Sequence, residues 1–394
     1  MSKKARLKLF PEYSSRFIYI GALVLSIFGS AMIISAEMGE STADLSVISS
    51  TSIKQVIFLV LGIACLIIFT KVRFIKLQSK FIWIGYFVVL FLLISTRAFA
   101  PVGGAYGWIR VGPLSLQPSE FAKLYVIILA AKLFEKDSPK LNMNRLEKFG
   151  LAVLAYVGIV FKLQNDLGSA VVILGISYVC ALIPPYKEYR KIQNWMIIFL
   201  CFGILGAVAL LSPLGTSLLE RMGDSYKIKR FLASADPFAY QYDSGYHLVM
   251  SLVSFATGGL FGLGYGKSIH KFMNFPNPST DFILPVIIEE NGIVFGLVPI
   301  LVCYGFIFFP LIYHSIKCEY CRGKIIMVGT LMYFALHFIL NVGGVSGFIP
   351  LTGVPLLLIS SGGSSLMACL ATLGLAQSEI INYQKRKSNE NSIG

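Results

Sequence analysis

Three carboxylates lie in or beside the apolar run NPSTDFILPVIIEENG, residues 277–292: Asp281, Glu289 and Glu290. An ionisable side chain at membrane depth is costly, so each one is a candidate functional group. The glutamates follow Asp281 by eight and nine residues, which is about 12–14 Å along a helix and too far for a paired acid and base. We therefore expect both glutamates to face the bundle interior and to pair with Arg or Lys from another helix.

Two further short motifs carry charge next to apolar runs. QPSEFAKL contains Glu120 and Lys123, and QNDLGSA contains Asp166. Glu120 and Lys123 have the i, i+3 spacing at which two opposite charges form an ion pair with each other on one helix face. Asp166 and Asp281 each precede an apolar run, where an aspartate commonly caps a helix N-terminus. Structural and functional roles both remain open for these residues.

The basic stretch RMGDSYKIKR contains Arg221, Lys227, Lys229 and Arg230. Arg and Lys are the side chains that recognise phosphate groups. The same residues would also contact anionic lipid headgroups at a membrane surface. The stretch is thus a candidate pyrophosphate site, with headgroup contact as the alternative.

The elements that position these residues must be membrane helices. The 394 residues are 56% hydrophobic and only 14% charged, with a mean hydropathy of +0.73, and about ten apolar runs approach the roughly 20 residues that span a bilayer. The sequence predicts an all-α, polytopic integral membrane protein with about ten transmembrane helices, forming one domain over residues 1–394.

The basic residues predict how this domain is oriented. Most of the 34 Lys and Arg fall in segments that share one membrane face if residues 1–16 and 383–394 are cytoplasmic tails, as the positive-inside rule expects. Topology thus explains the net charge of +14 better than nucleic-acid binding does. Residues 213–280 would form a large extracellular loop. Its GGLFGLGYG sequence lacks the strand and helix of a dinucleotide site, so it predicts close helix packing or a half-inserted turn.

The seven cysteines lie mostly in apolar runs, where a thiol behaves as a small hydrophobe. Cys318 and Cys321 are spaced as metal or redox ligands, but no second pair or histidine cluster accompanies them in the sequence. We expect neither a disulfide framework nor a metal site from the cysteines.

Five motifs, in order, resemble the SEDS family (shape, elongation, division and sporulation), which includes the FtsW, RodA and SpoVE proteins. They are GGAYGWIRVGPLSLQPSEFAKL, QNDLGSA, ADPF with SGYHLVMSLVSFATGGLFGLGYG, STDFILPVIIEENG and GFIPLTGVPLLLISSGGSSL. The resemblance covers nearly the whole chain. It implies ten helices and a peptidoglycan glycosyltransferase that polymerises lipid II, the undecaprenyl-pyrophosphate-linked disaccharide, on the outer face of the bacterial cytoplasmic membrane.

The resemblance also implies roles for particular residues and partners. Asp281 matches the family's essential acid, and functionally sensitive positions match Trp108, Glu120, Lys123 and Asp166. Arg221, Lys229, Arg230 and Glu290 complete the set of candidate substrate contacts. Apart from the resemblance, a divalent cation, Mg²⁺ or Mn²⁺, between Asp281 and the pyrophosphate stays open, although the sequence shows no ligand cluster for it. The implied partners are a class B penicillin-binding protein and other proteins of the division or elongation machinery.

The chain departs from the family pattern near the acid. Ser279 stands where the family usually has His, Ser361 where it has Tyr, and Pro285 where Ala is common. His247 and Met250 occupy usual Gln positions. We therefore expect a divergent member that retains Asp281 but has altered contacts around it. GLGYGKSIHKF favours the FtsW branch, and so the division septum, over RodA.

Two other functions fit the same residues. In a lipid II flippase the buried charges would line a headgroup path. In a non-catalytic scaffold the protein would only activate its transpeptidase partner. Loss of Asp281 separates the readings, because a transferase loses nearly all activity with its base whereas a flippase or a scaffold does not depend on one acid near the outer surface.

Overall fold

A computed structural model describes residues 3–40, 45–71, 78–112, 114–135, 144–210, 212–221, 226–273, 275 and 277–393. Within these ranges the protein is an all-helical bundle with one small hairpin. Seven helices in the described ranges are long and apolar enough to cross a membrane. The predicted all-α, polytopic fold is confirmed.

Ten helical segments correspond to the ten predicted apolar runs. They are α1 (Lys3–Glu40), α2 (Leu45–Lys71), α3 (Ser79–Ser95), α4 (Pro118–Leu133), α5 (Asn144–Gly158), α6 (Leu167–Leu182), α7 (Arg190–Leu210), a joined pair α11 (Ile283–Gly292) and α12 (Val298–Lys317), α13 (Cys321–Val345) and α14 (Gly363–Ile393). Short helices α8 (Pro213–Arg221), α9 (Tyr226–Ala235) and α10 (Tyr246–Gly258) lie between α7 and α11.

The helices differ sharply in how much of their surface is buried. In α14, 89% of the apolar window lies inside the protein, packed chiefly against α2, whereas only 6% of the α7 window does. The short helix α4 packs against α3, α6, α13 and α14 and is buried along most of its length. Residues on α4 are therefore inside the bundle, whereas α7 presents its side chains to the surroundings.

Two π-helical turns interrupt the bundle beside the candidate motifs. One covers Ile159–Leu163 and ends three residues before Asp166, and the other covers Ile293–Leu297 and begins three residues after Glu290. A π-turn leaves the regular hydrogen-bond ladder and is frequent at functional sites. The irregular backbone at these two places allows loops to enter the bundle.

A small antiparallel hairpin precedes α4. Strands β1 (Ile109–Val111) and β2 (Leu114–Leu116) pair with Ile109 opposite Leu116. The segment before the hairpin is held by the amide of Tyr106, which donates to the carbonyl of Gln164 over 2.8 Å. Half-buried Trp108 directly precedes β1. The hairpin thus places Trp108 and the start of α4 near the N-terminus of α6.

Candidate functional site

Asp281 lies two residues before α11 and does not cap that helix. The N-cap residue is Phe282, and it makes no side-chain capping bond. The capping interpretation of Asp281 is therefore wrong. Its carbonyl instead accepts a 2.9 Å hydrogen bond from Nδ2 of Asn341 on α13, which also donates to the carbonyl of Val354 at 2.9 Å. Asn341 thereby fixes the backbone at Asp281 against α13 and the loop before α14.

The carboxyl group of Asp281 is mostly enclosed. A side-chain carbon at Gly353 would lie 3.5 Å from its Oδ2 atom. Burial raises the pKa of Asp281 to about 6; nearby Arg230 lowers it and nearby Asp166 raises it. A carboxyl group that titrates near the working pH can accept a proton and also hold it, which suits a general base.

Asp166 approaches Asp281 from the N-terminus of α6. Its Oδ1 atom accepts the amide of Ser169 at 2.9 Å, so the capping prediction for Asp166 is confirmed. Its Oδ2 atom accepts from Nε2 of Gln117 at 3.4 Å, and the amide of Gln117 donates to Oγ of Ser364 at 3.1 Å. Asp166 caps a helix and also places a negative charge beside Asp281.

The basic residues between α7 and α11 are dispersed. Arg230, on α9, is half-buried, and its Nη1 atom donates to the carbonyl of Leu351 at 3.3 Å. We call the region around Asp281 that is formed by Asp166, Arg230 and the loop 351–355 the Asp281 cleft. Lys229 points to Asp243, 3.7 Å away. Arg221 ends α8 and is exposed, and Lys227 lies on α9. Of the three described cationic side chains, Arg230 is the one with an electrostatic effect on Asp281.

Glu120 and Lys123 form a fully buried ion pair below this cleft. Nζ of Lys123 lies 2.7 Å from Oε1 of Glu120, and the side chains are 0% and 1% exposed. The second carboxylate oxygen accepts from the hydroxyl of Tyr333 at 2.9 Å. Nζ also lies 3.2 Å from Nε2 of His337, whose Nδ1 faces the carbonyl of Pro355 at 2.9 Å. A carbonyl only accepts, so Nδ1 of His337 carries the proton and Nε2 accepts from Lys123.

The Glu120 and Lys123 pair supports the loop that encloses Asp281. Pro355, held by His337, follows Gly353, which lies beside the carboxyl group of Asp281, and Val354, whose carbonyl accepts from Asn341 as that of Asp281 does. The predicted i, i+3 pair is confirmed as geometry. The same pair also positions the floor of the cleft, so its structural role and its expected functional sensitivity are compatible.

Glu289 and Glu290 lie away from the cleft. Oε1 of Glu290 is 2.6 Å from Nζ of Lys271, and both side chains are 0% exposed. Oε1 of Glu289 is 2.6 Å from Nδ1 of His270. We expected a partner Arg or Lys from another helix. The partners His270 and Lys271 instead belong to the loop after α10. Glu290 is thus enclosed within the protein rather than facing Asp281.

The departures from the family pattern meet one another in space. The amide of Ser361 donates to the carbonyl of Ser279 at 2.8 Å, and Oγ of Ser361 accepts from Nε2 of Gln55 at 3.4 Å. The ring of His247 packs edge-on against Phe282, 6.0 Å between centroids. Burial and then the charge of Arg230 lower the pKa of His247, which favours the neutral ring. Ser279 and Ser361, two positions of expected departure from the family pattern, are therefore direct neighbours.

Sequence reasoning missed Asn341, His337, Lys271 and Ser35. A signal existed for the first two, because His337 and Asn341 have the i, i+4 spacing of one helix face within the apolar run ALHFILN. Lys271 sits in a stretch rich in glycine and apolar residues, where an unpaired cation would be costly. Ser35 on α1 gave no sequence signal, because its contact with Glu290 spans 255 residues.

A cavity of about 320 Å³ lies at the opposite end of the bundle from Asp281. It is enclosed by the start of α3, the end of α4 and the start of α5, with Trp83, Lys132, Arg145 and Lys148 among its lining residues. These residues are far from the cleft, because α4 runs the length of the bundle between Gln117 and this cavity. The cavity therefore has no part in the chemistry of Asp281.

Comparisons with known proteins agree with the fold and the motifs. The model of the FtsW, RodA and SpoVE family, described as "Cell cycle protein", matches residues 15–386, so the chain belongs to this family. A Bacillus subtilis relative named "Probable peptidoglycan glycosyltransferase FtsW" is 30% identical, over 98% of this chain and 95% of that protein. "Peptidoglycan glycosyltransferase RodA" of Treponema pallidum is also 30% identical, over 84% and 90% respectively.

A solved structure shares the fold. A chain from the work described as "Structural coordination of polymerization and crosslinking by a peptidoglycan synthase complex" superposes with a TM-score of 0.70 at 24% identity, covering 93% of this chain and 97% of that one. The protein is therefore a multi-pass membrane protein with the architecture of its family.

Proposed function

We propose that this protein is a peptidoglycan glycosyltransferase that polymerises lipid II, with Asp281 as general base. The observation that carries the proposal is the enclosed carboxyl group of Asp281. Burial raises its pKa to about 6, Arg230 lowers it and Asp166 raises it. The names of the FtsW and RodA relatives support the same activity.

The proposed reaction needs one base and positive charge. A sugar hydroxyl of one substrate attacks the anomeric carbon of the other, its proton passes to Asp281, and the bond from that carbon to the pyrophosphate oxygen breaks. The pyrophosphate leaves as an anion and needs no protonation if a cation stabilises it. Arg230 is the described cation that lowers the pKa of Asp281, so it is our first candidate to contact the leaving group. Lys229 and Arg221 lie in the same segment and are further candidates.

The described residues do not build a complete site for a divalent cation. They contain no group of three or more His, Cys, Asp or Glu side chains that could hold a metal ion. Mg²⁺ is typically bound by one or two carboxylates together with substrate phosphates, but Asp166 caps α6 and accepts from Gln117, and Asp281 has to accept the hydroxyl proton. The proposed reaction therefore has no step that passes through a metal ion.

We also propose an orientation and partners. The distribution of Lys and Arg supports cytoplasmic termini and an extracellular segment 213–280, which would place Asp281 at the outer membrane face. A class B penicillin-binding protein is the proposed partner, and the division septum the proposed location. The solved relative described as part of a peptidoglycan synthase complex supports a partner of this kind.

The test is polymerisation of lipid II by the purified protein with its transpeptidase partner. We expect long glycan chains from the wild type and at least a hundredfold loss in Asp281→Ala and Asp281→Asn, because the general base is removed. Asp243→Asn is the matched control, since Asp243 lies in the same segment and its side chain is 69% exposed. Chains from Asp281→Ala at the wild-type rate would reject the transferase mechanism.

Absence of chains from every variant, with folded partner and intact lipid II, would favour a flippase or a scaffold instead. The two can be separated by fluorescent lipid II in vesicles. A flippase would move the headgroup between leaflets, and a scaffold would only raise the transpeptidase rate of its partner.

A further inference from the structure

The loop that follows α10 enters the bundle beside α11. Residues 259–273, called here the re-entrant loop, form backbone hydrogen bonds to that helix: the amides of Leu263 and Gly264 donate to the carbonyls of Glu289 and Glu290 at 2.9 and 2.8 Å. These glutamates are six and seven residues beyond the start of the 35-residue apolar span, about 10 Å along it. The loop therefore packs closely against α11, which is one of the two arrangements expected for GGLFGLGYG.

Close packing holds the re-entrant loop at this depth. A side-chain carbon on Gly262, where φ is +76°, would lie 2.5 Å from the carbonyl carbon of Glu290 and from the amide nitrogen of Gly292. Exposed apolar side chains cover the outer surface of the loop: Leu260, Phe261, Leu263, Tyr265, Ile269, Phe272 and Met273. The loop is thus shaped for an apolar environment on one side and for direct backbone contact with α11 on the other.

Non-helical backbone at membrane depth must find hydrogen-bond acceptors inside the protein. The carboxylates of Glu289 and Glu290 supply them. Oε2 of Glu290 accepts the amide of Gly266 at 3.0 Å, and Oε1 of Glu289 accepts the amide of Ile269 at 3.2 Å. The hydroxyl of Ser268 donates to Glu289 as well. Two adjacent acids therefore take the place of a regular backbone ladder for this loop.

Lys271 compensates the charge of Glu290 and ties the loop to α1. Besides its 2.6 Å contact with Glu290, Nζ donates to Oγ of Ser35 at 2.9 Å. The hydroxyl of Ser35 donates to both carboxylate oxygens of Glu290, at 2.7 and 2.8 Å. Lys271, Glu290 and Ser35, which we call the loop clamp, join three parts of the chain in a closed and buried network.

We propose that the loop clamp positions Asp281 for catalysis. The chain leaves the clamp at Lys271 and reaches Asp281 ten residues later, and α11 begins two residues after the acid and returns to the clamp at Glu290. Asp281 thus lies on a short segment whose two ends are joined by one buried ion pair. Lys271 and Glu290 act through this segment and are positioning residues for the transfer, a role that rests on the proposed function.

A purely structural role would act differently. A pair that only stabilised the fold would lower the amount of active protein but leave the properties of the remaining active molecules unchanged. A pair that holds Asp281 in its enclosure changes those molecules. When the segment loosens, water reaches Asp281, and the desolvation that raises its pKa is relieved. The groups that face Asp281, Arg230 on α9 and Asp166 at α6, together with His247 on α10 near Arg230, stay in place.

The experiment compares Lys271→Met, Glu290→Gln and the double variant with the wild type, as full-length protein in nanodiscs. Hydrogen exchange is measured over residues 259–282, and glycan synthesis is measured against pH. We expect at least tenfold faster exchange in this segment, with α4 and α13 unchanged, and at least a tenfold lower kcat. We also expect the acid limb of kcat to move to lower pH. The double variant should recover part of kcat, because it leaves neither charge buried alone.

Two further variants separate a positioning role of the loop clamp from a general loss of stability. Ser35→Ala removes one member of the clamp without burying a charge, so it should fold and show a smaller effect of the same kind. Arg322→Met breaks the contacts with Glu135 and Glu379 at the other end of the bundle. It should lower stability without moving the acid limb.

Unchanged exchange over residues 259–282 in the clamp variants, or a lower kcat with an unmoved acid limb, would overturn the proposal. A wild type that makes no glycan would reject the proposed function. The exchange experiment would still report whether the clamp holds the Asp281 segment, so the two failures remain distinguishable.

Discussion

At the residue scale, the site depends on keeping one carboxyl group partly out of water. Burial and the negative charge of Asp166 favour the neutral form of Asp281, whereas Arg230 favours the charged form. Burial dominates, and the result is a pKa of about 6. Such a group is charged at neutral pH, as a base must be, yet it binds a proton far better than an ordinary aspartate near 3.9.

This balance predicts the pH dependence of glycan synthesis. The rate should fall as the pH drops through about 6, because protonated Asp281 cannot accept the hydroxyl proton. Arg230→Gln removes a charge that lowers the pKa, so the acid limb should move to higher pH. Lys229→Gln removes the same charge from a side chain that points to Asp243, and its acid limb should stay in place. Coincident limbs for Arg230→Gln and the wild type would contradict this balance.

The raised pKa also predicts that the charged carboxyl group of Asp281 lowers the stability of the folded protein at neutral pH. The folded pKa of about 6 exceeds the ordinary value of 3.8, so protonation favours the folded state, and that contribution is lost as the pH rises from about 4 through 6. At pH 7.5 the free energy of unfolding of Asp281→Asn should therefore exceed that of the wild type by about 1–2 kcal/mol, after allowing for solvent screening, and its melting temperature should be higher. Thermal melts should show the difference shrinking at pH 5. Equal melting at pH 7.5 would count against costly burial of the charge.

At the element scale, irregular backbone places the functional groups. The π-turn Ile159–Leu163 leads into Asp166, and the π-turn Ile293–Leu297 follows the two glutamates that hold the re-entrant loop. The amides of Ile293 and Val294 donate to the carbonyls of Gly259 and Leu260 at 3.1 and 3.0 Å. The second π-turn therefore offers backbone groups to the loop that a regular helix would use itself.

The end of α10 gives a direct test of this packing. A side-chain carbon at Gly258 would lie 2.6 Å from the carbonyl carbon of Ile288 and 2.7 Å from Cα of Glu289. We expect Gly258→Ala to lower stability by about 1–3 kcal/mol, because backbone must shift to admit the methyl group. Gly203→Ala on α7 is the control, since nothing lies within 4 Å of its added carbon. Thermal melts in detergent measure both; a Gly258→Ala protein as stable as wild type would mean that α10 is not tightly docked.

At the scale of the whole molecule, the cleft is assembled from distant parts of the chain. Asp166 comes from α6, Arg230 from α9, Asp281 from the approach to α11, and Asn341 from α13. Buried α4 supports them through Lys123, His337 and the loop before α14. Charged and polar groups concentrate where these helices meet, while lipid-facing helices such as α7 carry apolar side chains.

The proposed orientation can be measured on the intact molecule. We replace Tyr242, which is 94% exposed between α7 and α11, or Lys385, exposed near the end of α14, by cysteine in a background without Cys201, the exposed native thiol. A membrane-impermeant maleimide should label the first variant in intact cells and the second only after lysis. Labelling of Lys385→Cys in intact cells would reverse the proposed topology.

The sequence by itself determined the membrane class, the ten helical segments and the family. Hydropathy and charge are sums over many residues, so they can be read from the sequence without knowing the three-dimensional structure. Spacing also predicted the helix cap at Asp166 and the Glu120 and Lys123 pair, because capping and i, i+3 contacts are local.

Only the tertiary structure decided which charges meet. Sequence spacing suggested that Asp281 caps α11 and that Glu290 pairs with another helix, yet Asp281 is held by Asn341, 60 residues away, and Glu290 by Lys271 and Ser35. Such contacts depend on how helices and a re-entrant loop pack. A buried charge takes whichever partner that packing brings within reach, because leaving it unpaired in a medium without water costs far more than any local preference.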